Sequence, residues 1–177
     1  ALSMSTLSYH EQKDRDNTIH LRQLIKGLPP FCAQFFRGIE PRTSSRTRIA
    51  YAYDLKVFFE FLVKELPAFQ NMQIPDIRLE QLDEIHAVDL EEFMEYLKYR
   101  LNDKNQAVIN KERGIMRKIS TLKSFYNYFY RQEELKNNPA ALIQIPKLHE
   151  KEIIRLDVDE VALLLDEVEQ GDRLTPK

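Results

Sequence analysis

The chain has 177 residues, of which 43% are hydrophobic, and a formal net charge of −2. This is the length of one ordinary domain, with enough apolar residues to build a core. The sequence contains no run close to the roughly 18 apolar residues of a membrane span and no signal-peptide pattern, so we expect a soluble, cytoplasmic protein.

The composition predicts an all-α fold. There are only four glycines and no tryptophan, and apolar residues recur with helical spacing over long segments. The single cysteine, Cys32, cannot form an intramolecular disulfide, and its phenylalanine neighbours predict a buried thiol. Residues 1–3 precede Met4 and are interpreted as a cloning remnant.

No cofactor or metal site is expected. The histidines lack cysteines or carboxylates at zinc-ligand spacing, and no glycine-rich phosphate loop is present. These histidines are scattered along the chain, at His10, His20, His86 and His149.

Residues 1–43 are predicted to form an N-terminal arm. A helix is expected over residues 16–26, with Asp14, Asp16 or Asn17 as its cap and Gly27 as its stop. Residues 31–36 are predicted to form a helical turn or two after Pro29-Pro30, and residues 38–44 a linker. The arm carries no chemical motif, so it is interpreted as a packing arm or a partner-binding extension.

Two further helices are predicted in the middle of the chain. Ser44 or Ser45 is a suitable N-cap for a helix that reaches about residue 66, and its second half is apolar nearly all round, which predicts a central position. Only the first turns of this helix can therefore face a polar partner. Residues 67–79 form a long connection, residues 87–101 another helix, and residues 102–110 a polar loop.

The last long helix follows this loop. Its apolar stripe consists of Ile115, Ile119, Leu122, Tyr126 and Phe129, with Arg113, Arg117, Ser120 and Ser124 predicted on the opposite side. Gly114 could interrupt the helix at its beginning. Asn138-Pro139 ends the segment, and a proline-marked connector leads to Pro146-Lys147.

Charge is segregated along the chain. Residues 76–95 hold eight acidic residues against Arg78 alone, whereas residues 98–123 hold eight basic residues against two acidic ones. A smaller basic group consists of Arg42, Arg46 and Arg48. If the two basic groups meet in space, they form a phosphate-facing surface; the alternative is that each is an ordinary solvated face.

Two sequence patches together resemble the core-binding domain of tyrosine recombinases, the phage-integrase and Xer-like site-specific DNA recombinases. The first, residues 47–55, has Thr47, Tyr51, Asp54 and Leu55 where the domain's first long helix usually has these residue types. The second runs from Arg117-Lys118-Ile119-Ser120 and residues 122–126, through Asn138-Pro139 and Pro146-Lys147, to residues 156–165.

The resemblance implies a small SAM-like helical bundle over residues 44–148 that lies across one face of duplex DNA. Residues 149–177 would then be an interdomain linker and the first helix of a catalytic domain, at residues 158–169. DNA contacts are implied at the beginnings of the first and last long helices, with cations on phosphates and hydroxyls on backbone oxygens. The positions are Ser44, Ser45, Arg46, Thr47, Arg48, Lys111, Arg113, Arg117, Lys118, Ser120, Thr121 and Lys123.

Structural roles compete with DNA contact at some of these positions. Arg48 could lie along the apolar side of its helix, Thr47 could be a capping residue, and Lys118 sits near the edge of the packing stripe. Arg46, Arg117 and Lys123 are the positions at which we most favour DNA contact.

The resemblance also implies that the catalytic residues belong to a separate C-terminal domain and that the parent protein works as a tetramer on two duplexes. This chain by itself is then expected to be inactive, with double-stranded DNA and other recombinase protomers as partners and neither a membrane nor a small-molecule substrate. Tyr126, Tyr128 and Tyr130 are interpreted as core or stacking residues, because no arginine and histidine constellation accompanies them.

Two features depart from the family pattern, and two alternatives stay open. The connection over residues 67–79 and the approach over residues 102–114 are both longer than usual. One alternative is a helical protein-interaction module that docks through its acidic helix and aromatic arm. The other is a helix-turn-helix regulator, which is disfavoured because no short turn precedes the basic helix.

Overall fold

A computed structural model describes residues 6–102, 104–108 and 111–145 of the chain. Several predictions lie outside these ranges: the cloning remnant, the Pro146-Lys147 end of the connector, the segment over 156–165 and the helix over 158–169. The division at residues 43 and 148 stays a prediction.

The all-α prediction is confirmed. Five α-helices occur in the described ranges, accompanied by short 3-10 turns and one pair of two-residue strands. The helices are α1 (Tyr9–Lys26), α2 (Cys32–Ile39), α3 (Ser45–Glu65), α4 (Ala87–Lys98) and α5 (Glu112–Arg131).

Helix α3 lies at the centre of the bundle, as its apolar second half predicts. Phe58, Phe59, Phe61 and Leu62 are all at most 1% exposed. Ser44 caps the helix, with its Oγ accepting a hydrogen bond from the Thr47 amide at 3.2 Å, and the helix ends just before Leu66-Pro67. Both predicted boundaries are correct within one residue.

Helices α3 and α5 pack against each other through a polar and an aromatic contact. Asp54 of α3 contacts Arg117 and Thr121 of α5, and Phe59 lies against Phe125, with ring centroids 6.2 Å apart. The hairpin that precedes α5 lies beside Lys64 and Glu65, in the last turn of α3.

Helix α1 begins well before the predicted residue 16. Ser8 and Glu11 form a reciprocal capping box, in which the Ser8 Oγ accepts from the Glu11 amide and Glu11 Oε1 accepts from the Ser8 amide. This pairing satisfies two amides that the first turn would otherwise expose. The predicted caps further along the chain are interior helix positions. The arm packs onto α3, where Asn17 Nδ2 donates to Ser45 Oγ at 3.2 Å.

Helix α2 is longer than the predicted turn or two, and it continues into a 3-10 turn at Glu40–Arg42. The prediction of a linker from residue 38 was wrong. Gly38 is a helical residue that allows close approach to α5, since a Cβ there would lie 2.3 Å from Tyr128 Cε1. Cys32 is buried as predicted, and burial raises the pKa of its thiol.

The segment between α4 and α5 contains a small antiparallel hairpin. Helix α4 ends at Lys98, earlier than predicted, and β1 (Arg100–Leu101) pairs with β2 (Ala107–Val108) where a polar loop was predicted over residues 102–110. The Asn102 Oδ1 organises the turn by accepting from the amides of Lys104 and Gln106, each at 2.9 Å. Beyond the hairpin, α5 runs without interruption through Gly114.

Candidate nucleic-acid interface

The first turn of α3 contributes five of the candidate residues. Ser44 is exposed and caps the helix, and Arg46 is half-buried. Ser45 is 4% exposed beneath Asn17, and Thr47 is 2% exposed. Of this group, Ser44 and Arg46 are therefore the side chains that reach the surface.

Arg48 has an internal role in this structure. Its Nη1 donates to the carbonyl oxygens of Thr43 at 2.6 Å and Glu40 at 3.1 Å, and to the Thr43 hydroxyl at 3.0 Å. These bonds satisfy carbonyls of the 3-10 turn that leads into α3. Arg48 thus fixes the approach to the helix, which agrees with the structural role weighed for it above.

A buried charge cluster joins the middle of α3 to α5. Arg117 Nη2 donates to Asp54 Oδ1 at 2.6 Å, and the Thr121 hydroxyl donates to Asp54 Oδ2 at 2.7 Å. Lys118 Nζ lies 3.7 Å from Asp54 Oδ1. Each of these four residues is at most 2% exposed.

The predicted outward orientation of Arg117 was therefore wrong. The helical stripe alone places Arg117 opposite the core, but the Asp54 carboxylate makes its burial possible because a buried charge requires a partner. Arg117, Lys118 and Thr121 are enclosed between the helices, so none of them forms part of the exposed surface.

Lys123 holds the segment after α5 in place. Its Nζ donates to the carbonyl oxygens of Ala140 at 2.7 Å and Ile143 at 2.6 Å. Desolvation by burial lowers the pKa of this ammonium group. Lys123 closes the 3-10 turn at Pro139–Leu142 against α5.

The start of α5 supplies the exposed cations. Lys111 is the N-cap residue of the helix and Arg113 belongs to its first turn, and both are exposed, while Ser120 is half-buried two turns further on. Ser44 and Arg46 stand at the N-terminal end of α3, and exposed Arg42 precedes that end. We call these five residues, at the N-terminal ends of α3 and α5, the basic end.

Sequence reasoning missed Asp54 as the internal partner of the α5 cations. The resemblance placed Asp54 at a family position without a role, and its contacts with Arg117 and Thr121 span 63 and 67 residues. A carboxylate in an otherwise apolar part of α3 was the available signal, since such a residue needs a buried partner.

The described residues show neither a transmembrane helix nor a metal-ligand cluster. None of the helices in those ranges combines the length and apolar character needed to cross a bilayer, and no group of three or more His, Cys, Asp or Glu side chains within them could hold a metal ion. The tyrosines of α5 differ in environment. Tyr126 is fully buried, with its hydroxyl 3.4 Å from the Leu82 carbonyl, whereas Tyr130 is 47% exposed.

Comparison with known proteins places this fold in a family. Residues 28–147 match the phage integrase SAM-like domain. The tyrosine recombinase XerC of Caldanaerobacter subterraneus subsp. tengcongensis is 34% identical over 152 residues, which cover 80% of this chain and 40% of the relative.

Two other relatives show the same relation. XerC of Leptospira interrogans serovar copenhageni is 30% identical over 132 residues, with 72% of this chain and 35% of the relative covered. XerD of Rickettsia prowazekii is 28% identical over 138 residues, which cover 77% of this chain and 38% of the relative. The chain thus spans at most 40% of the length of these relatives. No solved structure matches the chain. The chain belongs to the phage-integrase SAM-like domain family of the tyrosine recombinases.

Proposed function

We propose that this chain is the core-binding domain of a site-specific recombinase or integrase and that it clamps duplex DNA at recombination sites through the basic end. The observation that carries the proposal is the exposure of Ser44 at the N-terminus of α3 and of Lys111 and Arg113 at the start of α5, which are positions where the resemblance implies DNA contact. Family membership supplies the second support, because the relatives named above are tyrosine recombinases.

The chemistry of the basic end suits a phosphate backbone. Arg42, Lys111 and Arg113 are exposed cations, and cations that neutralise phosphates release counterions from DNA. The amides of a helix N-terminus also favour an anion, and the basic end includes the N-termini of α3 and α5. Hydroxyl groups at Ser44 and Ser120 are able to bond backbone oxygens.

The acidic segment contacts α5 at two places. Asp83 accepts hydrogen bonds from the amides of Lys136 and Asn137, just beyond the last residues of α5. Glu91 and Glu95 line a cavity together with Glu112 and Ile115 of the first turns of α5. DNA binding through Lys111 and Arg113 therefore requires that these exposed cations outweigh the carboxylates near them.

We further propose that strand cleavage in the parent protein belongs to a separate C-terminal domain and that the parent acts as a tetramer on two duplexes. In that division this chain positions DNA without reacting with it. Linked domains bind more tightly than either alone, so the isolated chain is expected to bind weakly.

Fluorescence anisotropy with mixed-sequence duplex DNA over a salt series tests the proposal. We expect log Kd to depend linearly on log salt, and a Lys111→Ala, Arg113→Ala variant to lower the slope by about two, at ~0.9 per lost phosphate contact. The matched control is Lys64→Ala, Arg131→Ala, which removes two exposed cations from the last turns of the same helices.

The control is expected to retain the slope of the unmodified chain. An equal reduction of the salt slope in both variants would indicate non-specific attraction. It would contradict the assignment of DNA binding to the basic end. Absence of binding at low salt, with the fold intact, would favour the protein-interaction module. Arg117 and Lys123 were favoured for DNA contact from the sequence. They are unsuitable for this test because both side chains hold the bundle together.

A further inference from the structure

A cavity with charged residues in its lining lies beside the hairpin, between α3 and α5. Its volume is about 180 Å³, and it is lined from three sides. Helix α3 contributes Asp54 and Glu60, helix α5 contributes Arg117 and Lys118, and the hairpin contributes Arg100. The cavity is large enough for several water molecules, each of which occupies about 30 Å³ in the liquid.

Among the described residues that line this cavity, basic residues outnumber acidic ones. Among its described lining residues, Lys56, Arg100, Lys104, Arg117 and Lys118 are basic, whereas Asp54 and Glu60 are acidic. Both oxygens of Asp54 already accept hydrogen bonds, from Arg117 and from Thr121. The Asp54 carboxylate therefore cannot balance all the charge that surrounds the cavity.

Two guanidinium groups still have donors to offer. In the described part of the chain, Arg117 Nε, Arg117 Nη1 and Arg100 Nε donate no hydrogen bond. Arg117 is 1% exposed and Arg100 is 9% exposed. Buried donors without acceptors are costly, so an acceptor that enters the cavity gains several charge-assisted hydrogen bonds at once.

We propose that this cavity is a binding site for one phosphate group. A tetrahedral oxyanion presents several oxygens to the Arg100 and Arg117 guanidinium groups, which approach it from the hairpin and from α5, and it balances the excess positive charge. The exposed Lys56 and Lys104 side chains provide an electropositive approach.

The phosphate group has two possible sources, the DNA backbone and free inorganic phosphate. A backbone phosphate requires the DNA contact proposed above, so this source depends on the proposed function. The anion site itself does not depend on it. The experiment must therefore follow the cavity and DNA binding separately.

The test is a titration of the ¹⁵N-labelled chain with inorganic phosphate, monitored at the arginine Nε–H signals, against sodium chloride at matched ionic strength. We expect saturable shifts of the Arg100 and Arg117 signals with phosphate and none with chloride. An Arg100→Gln variant should weaken phosphate binding about tenfold, since it removes a charge-assisted contact. The matched control, Arg131→Gln, should leave the affinity unchanged.

Lys104→Gln provides a second variant if Arg100→Gln disturbs the hairpin, and a smaller loss of affinity is expected because Lys104 lies at the exposed rim. Phosphate that leaves both arginine signals unmoved would overturn the proposal. Phosphate affinity that is equal in the chain and the Arg100→Gln variant would overturn it as well.

Duplex DNA distinguishes the two sources. If DNA moves the same two signals and phosphate competes with it, the DNA backbone supplies the group. If DNA binds by anisotropy but the signals respond only to phosphate, the site takes the free anion. If phosphate binds while DNA shows no anisotropy change, the anion site stands and the proposed function fails.

Discussion

Asp54 is the residue on which the buried charge of this bundle depends. Arg117, Thr121 and Lys118 all lie around its carboxylate, and all four side chains are at most 2% exposed. Removing one partner of a buried ion pair lowers the stability of the fold by more than the intact pair adds to it. The remaining charges stay buried without a compensating partner. The contact therefore determines how α3 and α5 align.

Replacement of Asp54 by Asn is expected to lower the free energy of unfolding by about 3–5 kcal/mol, the usual cost of removing one partner of a buried ion pair. Urea denaturation followed by circular dichroism measures the change. Asp76→Asn is the matched control, since Asp76 is exposed, and should change the free energy of unfolding little. If Asp54→Asn lowered the free energy of unfolding as little as Asp76→Asn, the buried charge cluster would not hold α3 and α5 together.

Sequence reasoning succeeded at residues whose role is local and failed where the partner is distant. Ser44 was correctly identified as the α3 cap because a serine before an apolar helix satisfies nearby amides. Arg117 was assigned to the outside because helical periodicity does not reveal a carboxylate 63 residues away. Long-range pairing of this kind has no signature in the local pattern.

At the level of elements, the first turn of α1 depends on an ionised glutamate. Hydrogen bonds from the Ser8 amide, and the further contact with the Ser8 side chain, lower the pKa of the Glu11 carboxyl. A lowered pKa in the folded state means that the charged form stabilises the helix start above the ordinary glutamate pKa. This contribution is lost as the pH falls through the lowered value.

Acidification below the ordinary range of glutamate is therefore expected to fray the first turn of α1. Backbone NMR shifts of residues 9–12 should move toward coil values as the pH falls, while those of α3 stay helical. In a Glu11→Gln variant, which keeps a neutral capping box, the same shifts should be independent of pH over that range. A pH response in both proteins would contradict a role for Glu11.

Contact between α2 and α5 depends on the missing side chain of Gly38. A Cβ there would lie 2.3 Å from the Tyr128 ring, and that ring also packs against Phe35, with centroids 5.8 Å apart. Gly38→Ala is expected to destabilise the fold by about 1–3 kcal/mol through overpacking, in spite of the higher helix propensity of alanine.

Combining Gly38→Ala with Tyr128→Ala provides the control. In the Tyr128→Ala background the clash disappears, so Gly38→Ala should be neutral or stabilising by up to about 1 kcal/mol, the propensity difference between the two residues. Thermal unfolding of the four proteins in this double-mutant cycle gives the coupling free energy between residues 38 and 128. Additive effects would mean that the Tyr128 side chain makes room for the added methyl group without cost.

The boundaries of the helices and strands also show what local sequence patterns cannot predict. The long helices were predicted well, because their apolar periodicity extends over several turns. The hairpin at residues 100–108 was predicted as a loop, since its strands have only two residues each and Asn102 closes the turn through its own side chain. The extension of α1 was missed because Ser8 and Glu11 precede any apolar run.

For the whole molecule, the arrangement of charge matters more than its sum. A net charge of −2 gives no indication of DNA binding, whereas exposed cations stand at the starts of α3 and α5, at Arg42, Lys111 and Arg113. The fold class could be predicted from composition and periodicity. Which cations are exposed could not, because Arg48, Arg117 and Lys118 become internal only when the helices pack.

The central claim is that DNA lies against the basic end, and NMR mapping with a short duplex tests it most directly. Amide signals of residues 42–48 and 111–113 are expected to shift on addition of DNA, whereas those of Lys64, Glu65 and Arg131, at the C-terminal ends of α3 and α5, stay in place. Shifts confined to these C-terminal ends, or to the acidic residues 76–95, would contradict the account.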